Sequence, residues 1–156
     1  MSYHIDTECI HAGYEPKDGE PRVLPIVQST TFKYDSADTL GKLFDLKADG
    51  FFYTRISNPT LDAVEKKLAV LEGGVGALLT SSGQAATMIS VLNICHSGGH
   101  VVCSSAIYGG TFNLFAKTLK ELGVDCTFVA PDCSPEELNA AFRDNTRCVF
   151  AETLSN

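Results

Sequence analysis

Long apolar runs are missing from this sequence of 156 residues. No stretch reaches the roughly 20 apolar residues that a membrane-spanning helix needs. The segment from Met1 to Glu20 is polar and acidic, unlike the apolar centre of a signal peptide. We therefore expect a cytoplasmic protein with no membrane contact. Hydrophobic residues still make up 44% of the chain, which allows a packed core, and the length fits one domain.

Basic residues are also scarce, since 12 Lys and Arg face 19 Asp and Glu, for a net charge of −7. Proteins that bind nucleic acids need a basic surface to neutralise phosphates. An acidic chain is likewise repelled by anionic lipid headgroups. The charge balance therefore argues against nucleic acids and membrane surfaces as partners.

Paired cysteines of the CxxC type are absent, although the chain has six Cys residues. We expect reduced, mostly buried thiols, as is usual in a reducing compartment. Cys95, His96, His100 and Cys103 could be drawn as a zinc site, but their spacing matches no familiar zinc finger. We predict no metal site.

The usual nucleotide-binding and hydrolase motifs are missing too. The sequence has no GxGxxG between a strand and a helix, no Walker loop and no GxSxG elbow. The cluster of Gly73, Gly74 and Gly76 precedes a predicted strand instead of following one. A dinucleotide-binding fold and a serine hydrolase are therefore disfavoured.

A phosphate-binding pattern is present at residues 77–87, which read A-L-L-T-S-S-G-Q-A-A-T. The order predicts a strand, a tight turn and the N-terminus of a helix. Such a junction offers unpaired backbone N–H groups and the positive end of the helix dipole to an anion. Ser81 and Ser82 add hydroxyl groups, and Gly83 allows close approach. Alternatively, the stretch is an ordinary strand-to-helix connection with a serine N-cap.

Strands and helices alternate through the second half of the chain. Strands are predicted at 76–80, 100–104, 125–130 and 147–153, and helices at about 83–95, at about 111–122 and from Ser134. An earlier helix begins at Asn58 and Pro59, after an extended, arm-like opening segment. This alternation predicts an α/β protein with a parallel sheet, whose ligands lie beyond the carboxyl ends of the strands.

Residues with distinctive chemistry follow these strand ends. They are Ser82, Gly83 and Gln84 after the first strand, Tyr108 after the second, and Glu152 and Asn156 after the fourth. One rim of the sheet would then collect a phosphate cradle, an aromatic ring and an acid–amide pair.

Four motifs occur together in order: Y-T-R-I-S-N-P-T at 53–60, S-S-G-Q-A-A at 81–86, Y-G-G-T-F at 108–112 and E-T-L-S-N at 152–156. With them the chain resembles the pyridoxal-phosphate-dependent enzymes of cysteine and methionine metabolism. The resemblance implies a three-layer α/β/α large domain of fold type I, with a mainly parallel sheet that is incomplete here. It also implies that residues 1–60 form an arm that contacts a neighbouring subunit, and that 61–156 begin the cofactor-binding domain.

The resemblance implies a role for each motif. The backbone N–H groups of Gly83 and Gln84, with Ser82, would hold the phosphate of pyridoxal 5'-phosphate. Tyr108 would stack on the pyridine ring and assist departure of the γ-substituent of the substrate. Glu152 would support this site, and Asn156 would hydrogen-bond the ring hydroxyl.

Tyr53 and Arg55 would reach the cofactor phosphate of the neighbouring subunit, because a guanidinium offers a rigid pair of donors to phosphate. From the residues alone, Arg55 could equally form a surface ion pair. The resemblance implies a homotetramer built from dimers that share active sites.

The motifs look most like those of O-acetylhomoserine sulfhydrylases, which act in methionine biosynthesis. These enzymes replace the acetate of O-acetylhomoserine with sulfide or methanethiol. Methionine γ-lyases tend to carry Cys two residues after the active-site Tyr, where this chain has Gly110. Methionine γ-lyase and cystathionine γ-synthase stay as alternatives, as does a non-catalytic phosphate-binding α/β module.

The catalytic lysine that forms the Schiff base with the cofactor is not in this chain. In the family it follows the segment present here, and so do the Asp that pairs with the pyridine nitrogen and the Arg that binds the substrate carboxylate. The lysines that are present fall in the arm or on polar helix faces. We therefore expect residues 1–156 alone to be inactive and to be the amino-terminal part of a longer enzyme.

Overall fold

A computed structural model describes residues 3–155 of the chain. It divides into two compact units, with the boundary between Leu79 and Thr80. None of the helices in the described part has the length and apolar character needed to cross a membrane.

The first unit contains three helices: α1 (Ile5–His11), α2 (Ala37–Phe44) and α3 (Pro59–Leu71). Helix α3 begins as predicted, because the side chain of Asn58 accepts a hydrogen bond from the N–H of Thr60 and Pro59 occupies the first turn. The chain just after α1 passes close to α3 at Gly13, where an added Cβ would collide with the carbonyl oxygen of Ala63. Gly13 also has a φ of 89°, which favours glycine.

Asn58 also ties two loops of the first unit together. Its Nδ2 donates to the carbonyl oxygen of Val27 at 3.0 Å and to Oγ1 of Thr54 at 3.1 Å. Tyr53, five residues before Asn58, forms an isolated antiparallel bridge with Thr31. The segment that carries Tyr53 is therefore anchored at both of its ends, and Asn58 is buried, with 3% of its surface exposed.

The second unit holds a parallel sheet and the helices that connect its strands. Its elements are α4 (Gly83–Ile94), β1 (His100–Ser104), α5 (Gly109–Asn113), a π-helical segment (Leu114–Thr118), α6 (Leu119–Glu121), β2 (Asp125–Val129), α7 (Pro135–Ala141) and β3 (Thr146–Phe150). Helix α7 begins after Ser134, as predicted, and a capping box joins Ser134 to Glu137.

The sheet has the order β2-β1-β3, with both pairs parallel, so the predicted parallel arrangement is confirmed. Strand β1 lies in the centre and is buried along most of its length. Val101 and Cys103 face Phe115 and Leu119 in the hydrophobic core, together with Val91 of α4. Burial of this face supplies the main driving force for the unit.

One predicted strand and two predicted boundaries are wrong. Residues 76–80 form no strand, because no described strand pairs with them and Leu78 is 70% exposed. The last strand ends at Phe150 instead of residue 153. The helix predicted to start at residue 111 begins at Gly109, and residues 114–118 within it are π-helical.

A buried histidine links the three strands. Nε2 of His100 lies 2.9 Å from Oγ1 of Thr127 on β2, and Nδ1 lies 2.8 Å from Oγ1 of Thr146 on β3. Arg143 donates to the same two hydroxyl oxygens, through its guanidinium and its backbone N–H. Burial and the charge of Arg143 lower the pKa of His100, whereas Asp125 opposes this shift.

All six cysteines are free thiols, and Cys95 and Cys103 are fully buried. Burial raises the pKa of Cys95. A hydrogen bond with Cys126, together with burial, raises the pKa of Cys103. Within residues 3–155, no group of three or more His, Cys, Asp or Glu side chains could hold a metal ion. His100, drawn above as a zinc ligand, is instead bonded to threonine hydroxyls.

Candidate active site

A cleft of about 400 Å³ opens in the second unit, beside the N-terminus of α4. Five of its seven lining residues were predicted as cofactor-binding residues: Ser82, Gly83, Gln84, Tyr108 and Glu152. They come from three separate parts of the chain. These are the start of α4, the connection after β1 and the segment after β3. The structure therefore brings together residues that lie up to seventy positions apart in the sequence.

The N-terminus of α4 supplies the anion-binding part of this cleft. Ser82 is the N-cap, and its Oγ accepts a hydrogen bond from the N–H of Ala85 at 3.1 Å. The N–H groups of Gly83 and Gln84 have no acceptor among residues 3–155. Two free N–H groups at the positive end of a helix of twelve residues suit a phosphate.

Tyr108 also lines the cleft, directly before α5, and half of its surface is exposed. Its backbone N–H donates to Oε2 of Glu152 at 3.0 Å. The Glu152 carboxylate therefore fixes the start of α5, while the phenol ring of Tyr108 stays accessible. Asn156, also predicted to bind the cofactor, lies outside the described residues.

Tyr53 and Arg55 belong to the first unit. The guanidinium carbon of Arg55 lies 5.2 Å from the centre of the Tyr53 ring, which is a cation–π contact. Arg55 is exposed and forms no ion pair within the described part of the chain. The surface ion pair considered from the sequence is therefore not formed, and the guanidinium is accessible to an anionic partner.

Two threonines of the cleft were not predicted. Thr87 lies one helical turn after Gly83, and its hydroxyl donates to the carbonyl oxygen of Gly83 at 3.1 Å. Thr111 lies on α5 and is buried. The spacing of Thr87 from Gly83 could have revealed it, because residues four apart share one helix face.

A larger cleft, of about 650 Å³, lies in the first unit between Gly13 and Ala77. Its lining includes Asp62, Glu65 and Lys66 but none of the residues predicted for the site. The volume of a cleft alone would therefore select the wrong site in this protein. The smaller cleft combines free helix N–H groups, an accessible aromatic ring and a carboxylate, which is the better basis for a functional site.

Comparison with known proteins decides the family. Residues 6–156 match the model of the family described as Cys/Met metabolism PLP-dependent enzyme. This chain belongs to that family. Its cofactor, pyridoxal phosphate, is the one whose phosphate the N-terminus of α4 suits.

Three relatives illustrate the match. The O-acetyl-L-homoserine sulfhydrylase of Leptospira meyeri is 43% identical over 99% of this chain and 35% of its own length. The L-methionine gamma-lyase of Fusobacterium nucleatum subsp. polymorphum is 38% identical over 99% of this chain and 39% of its own length. The structure described as an O-acetylhomoserine (thiol)-lyase from Campylobacter jejuni is 33% identical, with a TM-score of 0.89 over 99% of this chain and 38% of that one.

The chain thus spans little more than a third of the length of these relatives. The Campylobacter structure contains N'-pyridoxyl-lysine-5'-monophosphate, a cofactor joined to a lysine. Its agreement with the present structure confirms the predicted fold class, the α/β architecture of this pyridoxal-phosphate-dependent family. The predictions of the family and its cofactor are confirmed as well.

Proposed function

We propose that the full-length protein is a pyridoxal-phosphate-dependent sulfhydrylase. It converts O-acetylhomoserine and sulfide to homocysteine and acetate, or uses methanethiol to form methionine. The observation that carries this proposal is the cleft in which free N–H groups of α4, Tyr108 and Glu152 meet. The cofactor, when bound, supplies an electron sink, and the protein orients the reactants and moves protons.

Each residue of the cleft has a defined task in this proposal. The N–H groups of Gly83 and Gln84, with the Ser82 hydroxyl, hold the phosphate. The ring of Tyr108 stacks on the pyridine ring, and its hydroxyl assists departure of acetate from the γ-carbon. The Glu152 carboxylate keeps Tyr108 in place by accepting a hydrogen bond from the backbone N–H of Tyr108. Asn156 hydrogen-bonds the ring hydroxyl.

The arm completes the site of a second subunit. Residues 1–60 contact a neighbouring subunit, and Tyr53 and Arg55 reach its cofactor phosphate. The exposure of Arg55 and its contact with the Tyr53 ring support this role, since the guanidinium has no competing carboxylate among the described residues. Dimers of this kind would pair into a tetramer.

Residues 1–156 alone are inactive in this proposal, because the cleft lining includes no lysine. Mixing the isolated chain with pyridoxal phosphate, reducing with borohydride and measuring intact mass checks this point. Exposed lysines such as Lys117 will react slowly, so inorganic phosphate serves as competitor. An adduct that forms at equimolar cofactor and is blocked by phosphate would contradict it.

The substrate is tested in the full-length protein by two parallel assays. One contains O-acetylhomoserine and sulfide and measures homocysteine. The other contains methionine alone and measures methanethiol and the keto acid. We expect turnover in the first to exceed turnover in the second by at least about tenfold. The reverse order would replace the proposal by a methionine γ-lyase, which the similarity to the Fusobacterium enzyme makes the second candidate.

A further inference from the structure

The space above Gly110 is shared by two side chains of the cleft. A Cβ added at Gly110 would lie 2.5 Å from Nε2 of Gln84 and 2.5 Å from Cε1 of Tyr108. Nε2 of Gln84 and Cε1 of Tyr108 are therefore at most twice 2.5 Å apart. Gly110 has no positive φ, so its backbone does not demand glycine. A larger residue there would have to displace the Gln84 amide or the Tyr108 ring, which occupy the space.

The preceding residue gives a natural comparison. Gly109 lies in the same short helix, and a Cβ added to it would meet no atom within 4 Å. If this part of the chain needed glycine only for its backbone, a side chain would be disfavoured equally at Gly109 and Gly110. The restriction at Gly110 therefore comes specifically from Gln84 and Tyr108.

Among residues 3–155, no hydrogen bond explains the position of the Gln84 side chain. Its Oε1 is buried and has no hydrogen-bond partner in this part of the chain. Such an arrangement is unfavourable, since buried polar atoms normally have a partner. A methionine or leucine would fill the same volume without this cost. The glutamine is therefore better explained by its place beside Tyr108 than by its contribution to folding.

We propose that Gln84 is a positioning residue for Tyr108, and that Gly110 is the spacer that lets the Gln84 amide contact the edge of the Tyr108 ring. Gln84 then acts at both ends of the site: its backbone N–H faces the cofactor phosphate and its side chain sets the plane of the ring that stacks on the pyridine. This inference rests on the proposed function for the identity of the ligand. The proximity of the two side chains above Gly110 is independent of that function.

The first test compares Gly110→Ala with Gly109→Ala in the full-length protein. Three quantities are measured: the Kd for pyridoxal phosphate, the circular dichroism of the bound cofactor, and the fluorine NMR signal of 3-fluorotyrosine placed at position 108 in the cofactor-free protein. We expect Gly110→Ala to raise Kd about tenfold or more and to shift the fluorine signal. Gly109→Ala should stay within about twofold of the natural protein in Kd and keep its signal. Equal behaviour of the two variants would overturn the proposal.

A second test uses variants that add no atoms, in case Gly110→Ala fails to fold. Gln84→Ala and Gln84→Met keep the backbone N–H but remove the side-chain amide group. Both should keep the melting temperature of the cofactor-free protein and still shift the Tyr108 fluorine signal. In the double variant Gln84→Ala, Gly110→Ala, the Kd should fall back towards that of Gln84→Ala alone. An unchanged fluorine signal in both single variants would show that Gln84 does not position the ring.

The readouts separate this inference from the proposed function. If the natural protein binds no pyridoxal phosphate but the fluorine signals change as expected, the proposed function fails and the positioning contact stands. If the cofactor binds and the Gln84 and Gly110 variants resemble Gly109→Ala, the inference alone fails.

Discussion

The carboxylate of Glu152 accepts a hydrogen bond from the backbone N–H of Tyr108 at 3.0 Å, which joins the end of β3 to the start of α5. The bond helps to hold the Tyr108 ring at a defined place, directly before the two glycines that open α5. Since the acceptor is charged, the bond is stronger than a neutral one.

Removing this acceptor should loosen the ring. We expect Glu152→Ala to weaken pyridoxal phosphate binding by about 1 kcal/mol, roughly a fivefold rise in Kd. Glu152→Gln keeps an oxygen acceptor and should lose less than half of that amount. Titration of cofactor fluorescence in the full-length protein measures both values. Equal losses in the two variants would show that the negative charge matters and the hydrogen bond to Tyr108 does not.

The buried His100 should make stability depend on pH. Its pKa is lowered in the folded state from an ordinary value of 6.5, so below that pH the unfolded chain binds more protons than the folded one. The free energy of unfolding should therefore be constant above about pH 6.5 with respect to this group and decrease as the pH falls below it. Urea unfolding of the full-length protein between pH 5 and 8 measures the slope, and His100→Asn, which stays neutral, should abolish this part of it. A slope that persists in the variant would assign the effect to other groups.

Arg55 is expected to act on a site in another subunit. Arg55→Ala should raise the Kd for pyridoxal phosphate about tenfold and leave the melting temperature of the cofactor-free protein unchanged, because the side chain is exposed. Arg22→Ala, also at an exposed arginine of the first unit, is the control.

Mixed dimers test the sharing of sites directly. In a dimer of one Arg55→Ala subunit and one Tyr108→Phe subunit, one site contains both natural residues and the other contains neither. Refolding the two variants together, at a pyridoxal phosphate concentration too low to saturate Arg55→Ala, should therefore restore activity at one of the two sites of each mixed dimer. If mixing restores nothing, Arg55 and Tyr108 serve the same subunit.

Asn58 should resist replacement by aspartate despite the similar shape. Aspartate keeps the helix cap for Thr60 but places an acceptor against the carbonyl oxygen of Val27. We expect Asn58→Asp to lower the free energy of unfolding by about 2 kcal/mol, because a buried acceptor is left without a donor. Asn58→Ser also keeps the cap, and it should lose only the two Nδ2 bonds. Urea unfolding compares them, and equal stability of the aspartate variant and the natural protein would contradict this account.

Local sequence signals predicted the parts of the fold that depend on neighbouring residues. Asn58 and Pro59 start α3, α4 begins at Gly83, and residues 100–104 form β1, each as predicted. Residues 76–80 have the composition of a strand but form none, since a strand needs a partner as well as apolar residues. The π-helical segment at Leu114–Thr118 has no local signature that distinguishes it from an ordinary helix.

The candidate site likewise has some features that the sequence predicts and others that depend on distant segments. The rule that ligands lie at the carboxyl ends of parallel strands was enough to predict that Ser82, Tyr108 and Glu152 would meet. It could not reveal that the side chains of Gln84 and Tyr108 approach each other above Gly110, because this depends on the path of two loops and on side-chain directions. Asn58 was predicted as a helix cap, and its bond to Val27 depends in the same way on a distant segment.

The sheet order β2-β1-β3 also has a consequence during synthesis on the ribosome. The central strand, residues 100–104, is made first, and both of its neighbours come later in the chain. At about 5–20 residues per second, the apolar strand β1 emerges a few seconds before β3 can cover its second edge. The nascent chain therefore exposes its most hydrophobic strand for that interval, which is a natural point for a chaperone to bind.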